Sequence, residues 1–190
     1  MSSLLDPAAF VWCIAGPHIG ETLVDIVERK RRDIEHFGWC LWAYGGLGNA
    51  HPETEVRRLA EEYAGGEALS LLMPDTGKKY PDNGMPFTAY RHRRADEAVG
   101  IPDGMSPVTG GRSSWGFWVT SLDWSDDAVI DVGQYVAPYA RRGPQPLHEY
   151  LKGSHGRACA ARDANADTRL ERRVHVVAQL APPYAVFLSR

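Results

Sequence analysis

The chain has 190 residues, 44% of them hydrophobic and 24% charged, with a formal net charge of −3. That length can bury a core within one domain, and the composition is too ordinary for a disordered chain. The slightly acidic balance excludes a global positive field, so neither nucleic acid nor anionic lipid is drawn to the chain as a whole.

The start, Met1 to Pro7, has no basic stretch, and Asp6-Pro7 interrupts its apolar run, so no signal peptide is expected. No apolar run approaches bilayer length, so no membrane partner is expected. Cys13, Cys40 and Cys159 are an odd number at wide spacing, without a C-x-x-C pair. Cys13 and Cys40, inside apolar runs, read as small core residues, and the reducing cytoplasm is the expected compartment.

Phe10 to Ala15 is a continuous apolar run and predicts a strand buried on both faces. Leu23, Ile26, Val27 and Ile34 fall on one helical stripe, with Thr22 and Asp25 as a capping box and Gly38 as the stop. Phe37 to Tyr44 predicts a second strand. Gly45 to Asn49 is a glycine-rich loop, and Pro52 opens a second helix carrying Val56, Leu59, Ala60 and Tyr63 on its apolar side. Gly65-Gly66 ends that helix, and Ala68 to Met73 predicts a third strand.

The second half is richer in turns. One strand is expected around Thr88 to Arg94. Ser114 to Leu122 and Ala128 to Ala137 look like a β-hairpin with a longer loop. Gly153 to Thr168 reads as a surface loop or a short helix. Val174 to Leu180 and Tyr184 to Leu188, flanking Pro182-Pro183, read as two final strands. The expected fold is a single α+β domain over residues 1–190. An N-terminal β-α-β-α-β unit with its first two strands adjacent and parallel would join antiparallel strands in one mixed sheet.

Candidate chemistry sits in the loops that leave the first two strands. His18 and His51 each follow an apolar strand and precede a helix, and Gly46 lies in the loop before His51. If those strands are parallel neighbours, both histidines stand at the carboxyl edge where open α/β sheets bind ligands. Helix starts there favour anions, and a positive helix end keeps His51 neutral, able to act as a base. Lys30 falls on the apolar stripe of the first helix. Its stem either snorkels to the surface or aims its charge at a carboxylate or a ligand. Arg112 and Ser113, in the turn Thr109 to Ser114, add a guanidinium and a hydroxyl suited to an anion.

Several motifs are absent. Thr76-Gly77-Lys78-Lys79 lacks the upstream glycine and following hydroxyl of a phosphate-binding loop, and there is no G-x-S-x-G. His18-Ile19-Gly20-Glu21 shares three positions with the His-Ile-Gly-His signature of class I aminoacyl-tRNA synthetases. Its fourth position is Glu21 and no Lys-Met-Ser-Lys-Ser loop follows, so nothing is assigned from it. No metal-ligand spacing is present, so no metal is expected, and the sequence names no cofactor.

The leading expectation is binding of a small anionic ligand, nucleotide-like or a phosphorylated metabolite, with His51 and His18 as the catalytic pair if turnover follows. The alternative is a non-enzymatic nucleic-acid-binding module that uses Arg91, Arg93 and Arg94 with stacked tryptophans. A protein-interaction domain is a third reading. Oligomeric state is not legible in the sequence.

Overall fold

The computed structural model describes residues 3–18, 20–44, 53–79, 85–93, 96–109, 115–152 and 156–190. In chain order its elements are β1 (Ser3–Leu5), β2 (Ala9–Cys13), α1 (Leu23–Phe37), β3 (Cys40–Tyr44), α2 (Glu53–Tyr63), β4 (Leu69–Met73), β5 (Ala89–Arg91) and β6 (Val99–Gly100). Then come β7 (Trp115–Trp124), β8 (Ala128–Asp131), β9 (Tyr135–Ala137), β10 (Gln145–Pro146), α3 (Leu147–Lys152), β11 (Arg157–Arg162), β12 (Glu171–Arg173) and β13 (Val176–Ser189). The class is α+β, mostly sheet. Among the described residues ten strands form one mixed sheet, three form a second, and no helix is long and apolar enough to cross a membrane.

Local signals placed α1 closely. The Thr22 side chain accepts from the Asp25 amide while the Asp25 carboxylate accepts from the Thr22 amide, completing the capping box. At the other end Gly38 adopts a φ of 81°, and its amide donates to Ile34 at 2.8 Å. Only glycine reaches that left-handed turn without a Cβ penalty.

The strand partners depart from expectation. β2 and β3 are not neighbours. The order runs β11-β2-β4-β13, with β7 on β13 and β3 on β7. β2 is antiparallel to β11 and parallel to β4, while β3 is antiparallel to β7. The 14-residue β13 causes this. It pairs with β4 along one edge and with β7 along the other, so it stands between the strands that the α1 crossover would otherwise have joined. Adjacency after a crossover is a tendency, and a long apolar strand from the far end of the chain overrides it.

Three other expectations are corrected. β7 and β8 form no hairpin: β8 pairs with β1 and β12 in the second sheet. The turn between them is fastened instead to β13's approach, where the Ser125 amide donates to the His175 carbonyl at 2.8 Å. Residues 157–162, read as loop or helix, are β11, wedged between β2 and β9. Its Ala158, Cys159, Ala160 and Ala161 have weak strand preference, but small side chains fit a site buried on both faces. The two expected final strands are the single strand β13, continued across Pro182-Pro183.

One face of the large sheet carries α1 and α2. Leu23 and Val27 of α1 and Val56, Leu59 and Ala60 of α2 pack with Val11, Leu71, Val119 and Ala178 in one apolar cluster. The opposite face holds two separate clusters. One, with Phe10, Ile130, Tyr135 and Leu147, lies under the second sheet and α3. The other, with Leu41, Tyr90, Val108 and Val186, lies under the segment that carries Phe87 to Val108.

Candidate functional site

At the edge where β2 and β4 end, one candidate residue, His18, stands in a loop beside a second loop that the sequence reading did not select. The two strands pair in parallel from Phe10↔Ser70 to Trp12↔Leu72. Their pairing continues outward. Ala15 donates to the Pro74 carbonyl at 3.0 Å, and Thr76 returns both its amide, at 3.0 Å, and its hydroxyl, at 3.1 Å, to the Ala15 carbonyl. Beyond this point one loop carries His18 and the other carries Lys78 and Lys79. The lysines are exposed and His18 is half-buried. The second loop turns at Gly77, with φ 64°, as the Asp75 carboxylate accepts the Gly77 amide at 2.8 Å. The amide of Asp75 donates to Nδ1 of His175 at 2.9 Å.

On the other side of β2, the backbone of Arg157 lies opposite Cys13. Burial pushes the Cys13 thiol up, and the Arg157 charge and hydrogen bond pull it partly back. The thiol is thus a packed, protonated group rather than a nucleophile.

The start of α1 is not open to an anion. Thr22 and Asp25 occupy one another, and the Thr22 hydrogen bonds hold the Asp25 carboxyl below its usual range. Glu21 receives a fork from Arg29, with Nε and Nη2 each 2.9 Å from a separate carboxylate oxygen. That hydrogen-bonded guanidinium lowers the Glu21 carboxyl. An anion approaching this helix end would meet two carboxylates.

His51 and Gly46 lie outside the described residues, and so do Arg112 and Ser113. The elements flanking His51 are described. Tyr44 ends β3, is 3% exposed and stacks on Phe117 with ring centroids 3.6 Å apart. Burial pushes its hydroxyl far up, and Cys13, Cys159, Arg157 and Glu53 lie within electrostatic reach. Cys13, Tyr44 and Cys159 belong to the apolar cluster beneath α1 and α2, and β3 runs opposite to β2 across the sheet. Glu53 and Glu55 occupy the first turn of α2, where carboxylates suit the helix dipole. Burial raises both carboxyls, with Arg57, Arg93 and His92 drawing Glu53 partly back.

Lys30 does not snorkel. It is 4% exposed, with Nζ 3.5 Å from Oδ2 of Asp33 and 3.5 Å from the Ser106 carbonyl. Burial lowers its ammonium, and the neighbouring Cys40 sulfur and Asp33 carboxylate oppose that, although burial keeps the Cys40 thiol itself protonated. Asp33 also accepts the Ser106 amide at 2.9 Å and its hydroxyl at 2.8 Å. The sequence reading missed Asp33 and Ser106. The spacing of Asp33 three residues after Lys30 on one helix face was the available signal, whereas nothing local pointed to Ser106.

The tryptophan expectation has a definite counterpart. Trp39 and Trp118 stack at 3.8 Å and 15°, and Tyr90 sets an edge against them at 5.6 and 5.4 Å. The exposed His92 adjoins Tyr90 at 5.8 Å. Arg91 turns elsewhere, over the Phe187 ring. Arg93 is exposed, and Arg94 lies outside the described residues. Among the described residues no group of three or more His, Cys, Asp or Glu side chains is arranged to hold a metal ion. Comparison with protein-family models, with curated proteins and with solved structures gave no match to this chain.

Proposed function

We propose that the chain binds a small anionic ligand, a nucleotide or a phosphorylated metabolite, at the edge where β2 and β4 end. The observation that carries this reading is the parallel pairing of those two strands. It sends the loop with His18 and the loop with Lys78 and Lys79 out of the same edge. The paired strand is β4 rather than β3, so Lys78 and Lys79 take the place first given to Arg112 and Lys30 as the source of charge. Lys30 serves the site only through the helix it braces. His51 drops out of the reading: through β7 and β13 its preceding strand β3 runs opposite to β2 and β4, so the two candidate histidines do not follow strands that end at one edge. The three cysteines are unpaired and buried, which supports a reducing, cytoplasmic setting.

Titration calorimetry with inorganic phosphate and with adenosine monophosphate tests this reading. The Lys78→Glu/Lys79→Glu variant is expected to weaken binding at least about tenfold, the worth of one charge-assisted contact. Unchanged affinity in the lysine variant removes the edge as the site.

A second reading rests on the partly buried Trp39–Trp118 pair, set on the buried Tyr90 with the exposed His92 beside it, whose open edges could stack single-stranded bases. A salt series separates the two. Oligonucleotide affinity that falls steeply with salt and is lost in Trp39→Ala favours nucleic acid; no oligonucleotide binding leaves the anion reading alone.

A further inference from the structure

His175 precedes β13 and is bound to the end of β4 twice. Its amide donates to the Met73 carbonyl at 3.0 Å, and its ring accepts the Asp75 amide at 2.9 Å. A backbone N–H can only donate, so Nδ1 must present a lone pair. A neutral imidazole protonated on Nε2 does so, whereas an imidazolium carries protons on both nitrogens and cannot accept. The bond fastens the first residue of the turn that also holds Thr76 on the Ala15 carbonyl and Gly77 on the Asp75 carboxylate.

We propose that His175 is a proton-sensitive positioning residue that holds the Asp75–Lys79 turn in place while its ring is neutral and releases it when protonated. Its link to ligand binding rests on the edge site proposed above. The ring is half-buried, so solvent protons reach it, and its other neighbour is the Trp124 ring at 5.5 Å. On the elements around it, Asp75 is turned to the Gly77 amide with Lys78 and Lys79 further along the same turn, Asp123, Asp126 and Asp127 lie beside Trp124 and in the turn after it, and the exposed Glu171, Arg172 and Arg173 form β12 just upstream. Protonation sets two N–H dipoles against each other at the Asp75 amide, and the turn bearing Lys78 and Lys79 loses its tie to β13.

The sign separates this role from simple electrostatics. An imidazolium acting only as a charge would strengthen anion binding at acid pH, while release of the turn weakens it. The experiment follows the Asp75 amide by NMR, through its shift and exchange protection, across about pH 5 to 8, where imidazoles titrate. In parallel it measures binding of inorganic sulfate, whose charge is constant over that range. In the unmodified chain, protection of the Asp75 amide should fall with the His175 ring titration, and sulfate affinity should drop about fivefold, the worth of one hydrogen bond. His175→Asn, whose side-chain oxygen accepts at a similar position without titrating, should flatten both profiles.

An Asp75 amide that ignores the His175 titration overturns the proposal, as does sulfate binding that tightens towards acid pH. If the amide follows His175 but sulfate binds at no pH, the switch stands and the edge-site reading fails. The NMR titration needs no variant, so a poorly folded His175→Asn chain leaves the test intact.

Discussion

Two of the ion pairs made by helix α1 are of opposite character. Arg29 and Glu21 meet in a two-bond fork at 2.9 Å, with side chains 24% and 35% exposed. Lys30 and Asp33 meet at 3.5 Å, with side chains 6% and 5% exposed. The pair with the better geometry costs less to break. Water solvates the Arg29–Glu21 charges almost as well when they part, so such pairs are worth about 0–1 kcal/mol. No water waits for the Lys30 ammonium or the Asp33 carboxylate, so removing either partner strands the other. Burial rather than bond length decides what a broken pair costs. The buried pair also acts at a distance, since through Ser106 it pins the segment that covers Tyr90, Leu41 and Val108.

The largest expected effect tests the buried half of this contrast. Lys30→Met should lose about 3–5 kcal/mol in denaturant unfolding, because it leaves the Asp33 charge alone. The double variant Lys30→Met/Asp33→Asn removes both charges and keeps an acceptor for Ser106, so it should recover most of that loss. A single-variant loss below about 1 kcal/mol would erase the distinction between the pairs.

A middle-sized effect comes from the exposed end of the same helix. Thr22→Ala removes the acceptor for the Asp25 amide and should cost about 1 kcal/mol by the same measurement. A larger loss would mean that the exposed end is braced by more than its cap.

The smallest effect is expected for Arg29→Gln, below about 1 kcal/mol near neutral pH. Its pH dependence has a definite sign. Arg29 lowers the folded Glu21 carboxyl below its ordinary value of 4.5. The stability this provides is therefore present above that value and lost as pH falls through the lowered folded one. Melting temperatures of the parent and Arg29→Gln chains should converge as pH drops from about 6 to about 3. A gap that widens towards acid would show that Glu21 does not draw its shift from Arg29.

Much of the local structure was legible in the residues. Thr22, Asp25 and Gly38 bounded α1 through bonds made within a few positions of each other. The apolar runs at β2, β3 and β4 announced buried strands, whereas the place of Lys30 on the apolar stripe left a snorkelling stem and an inward-aimed cation both open, and burial decided for the second. Of the candidate site, His18 was legible as a loop residue after a buried strand. Lys78 and Lys79 carry no such local signal because their loop fits no phosphate-binding motif, and only their position beside β2 gives them interest.

The sequence by itself determined where α1, α2 and the apolar strands β2, β3 and β4 lie, because capping, periodicity and glycine conformation act over a few residues, whereas the short α3 carried no such signal. Tertiary structure alone decided which strands are neighbours. β13 comes from the far end of the chain and takes both the open edge of β4 and that of β7. It likewise decided that residues 157–162 form a strand, since Ala and Cys carry little strand preference until two neighbours and two covering layers leave room only for small side chains. And it decided that Lys30 and Asp33 hold Ser106, more than 70 residues away, because a buried charge takes its partner from whatever segment the packing brings within reach.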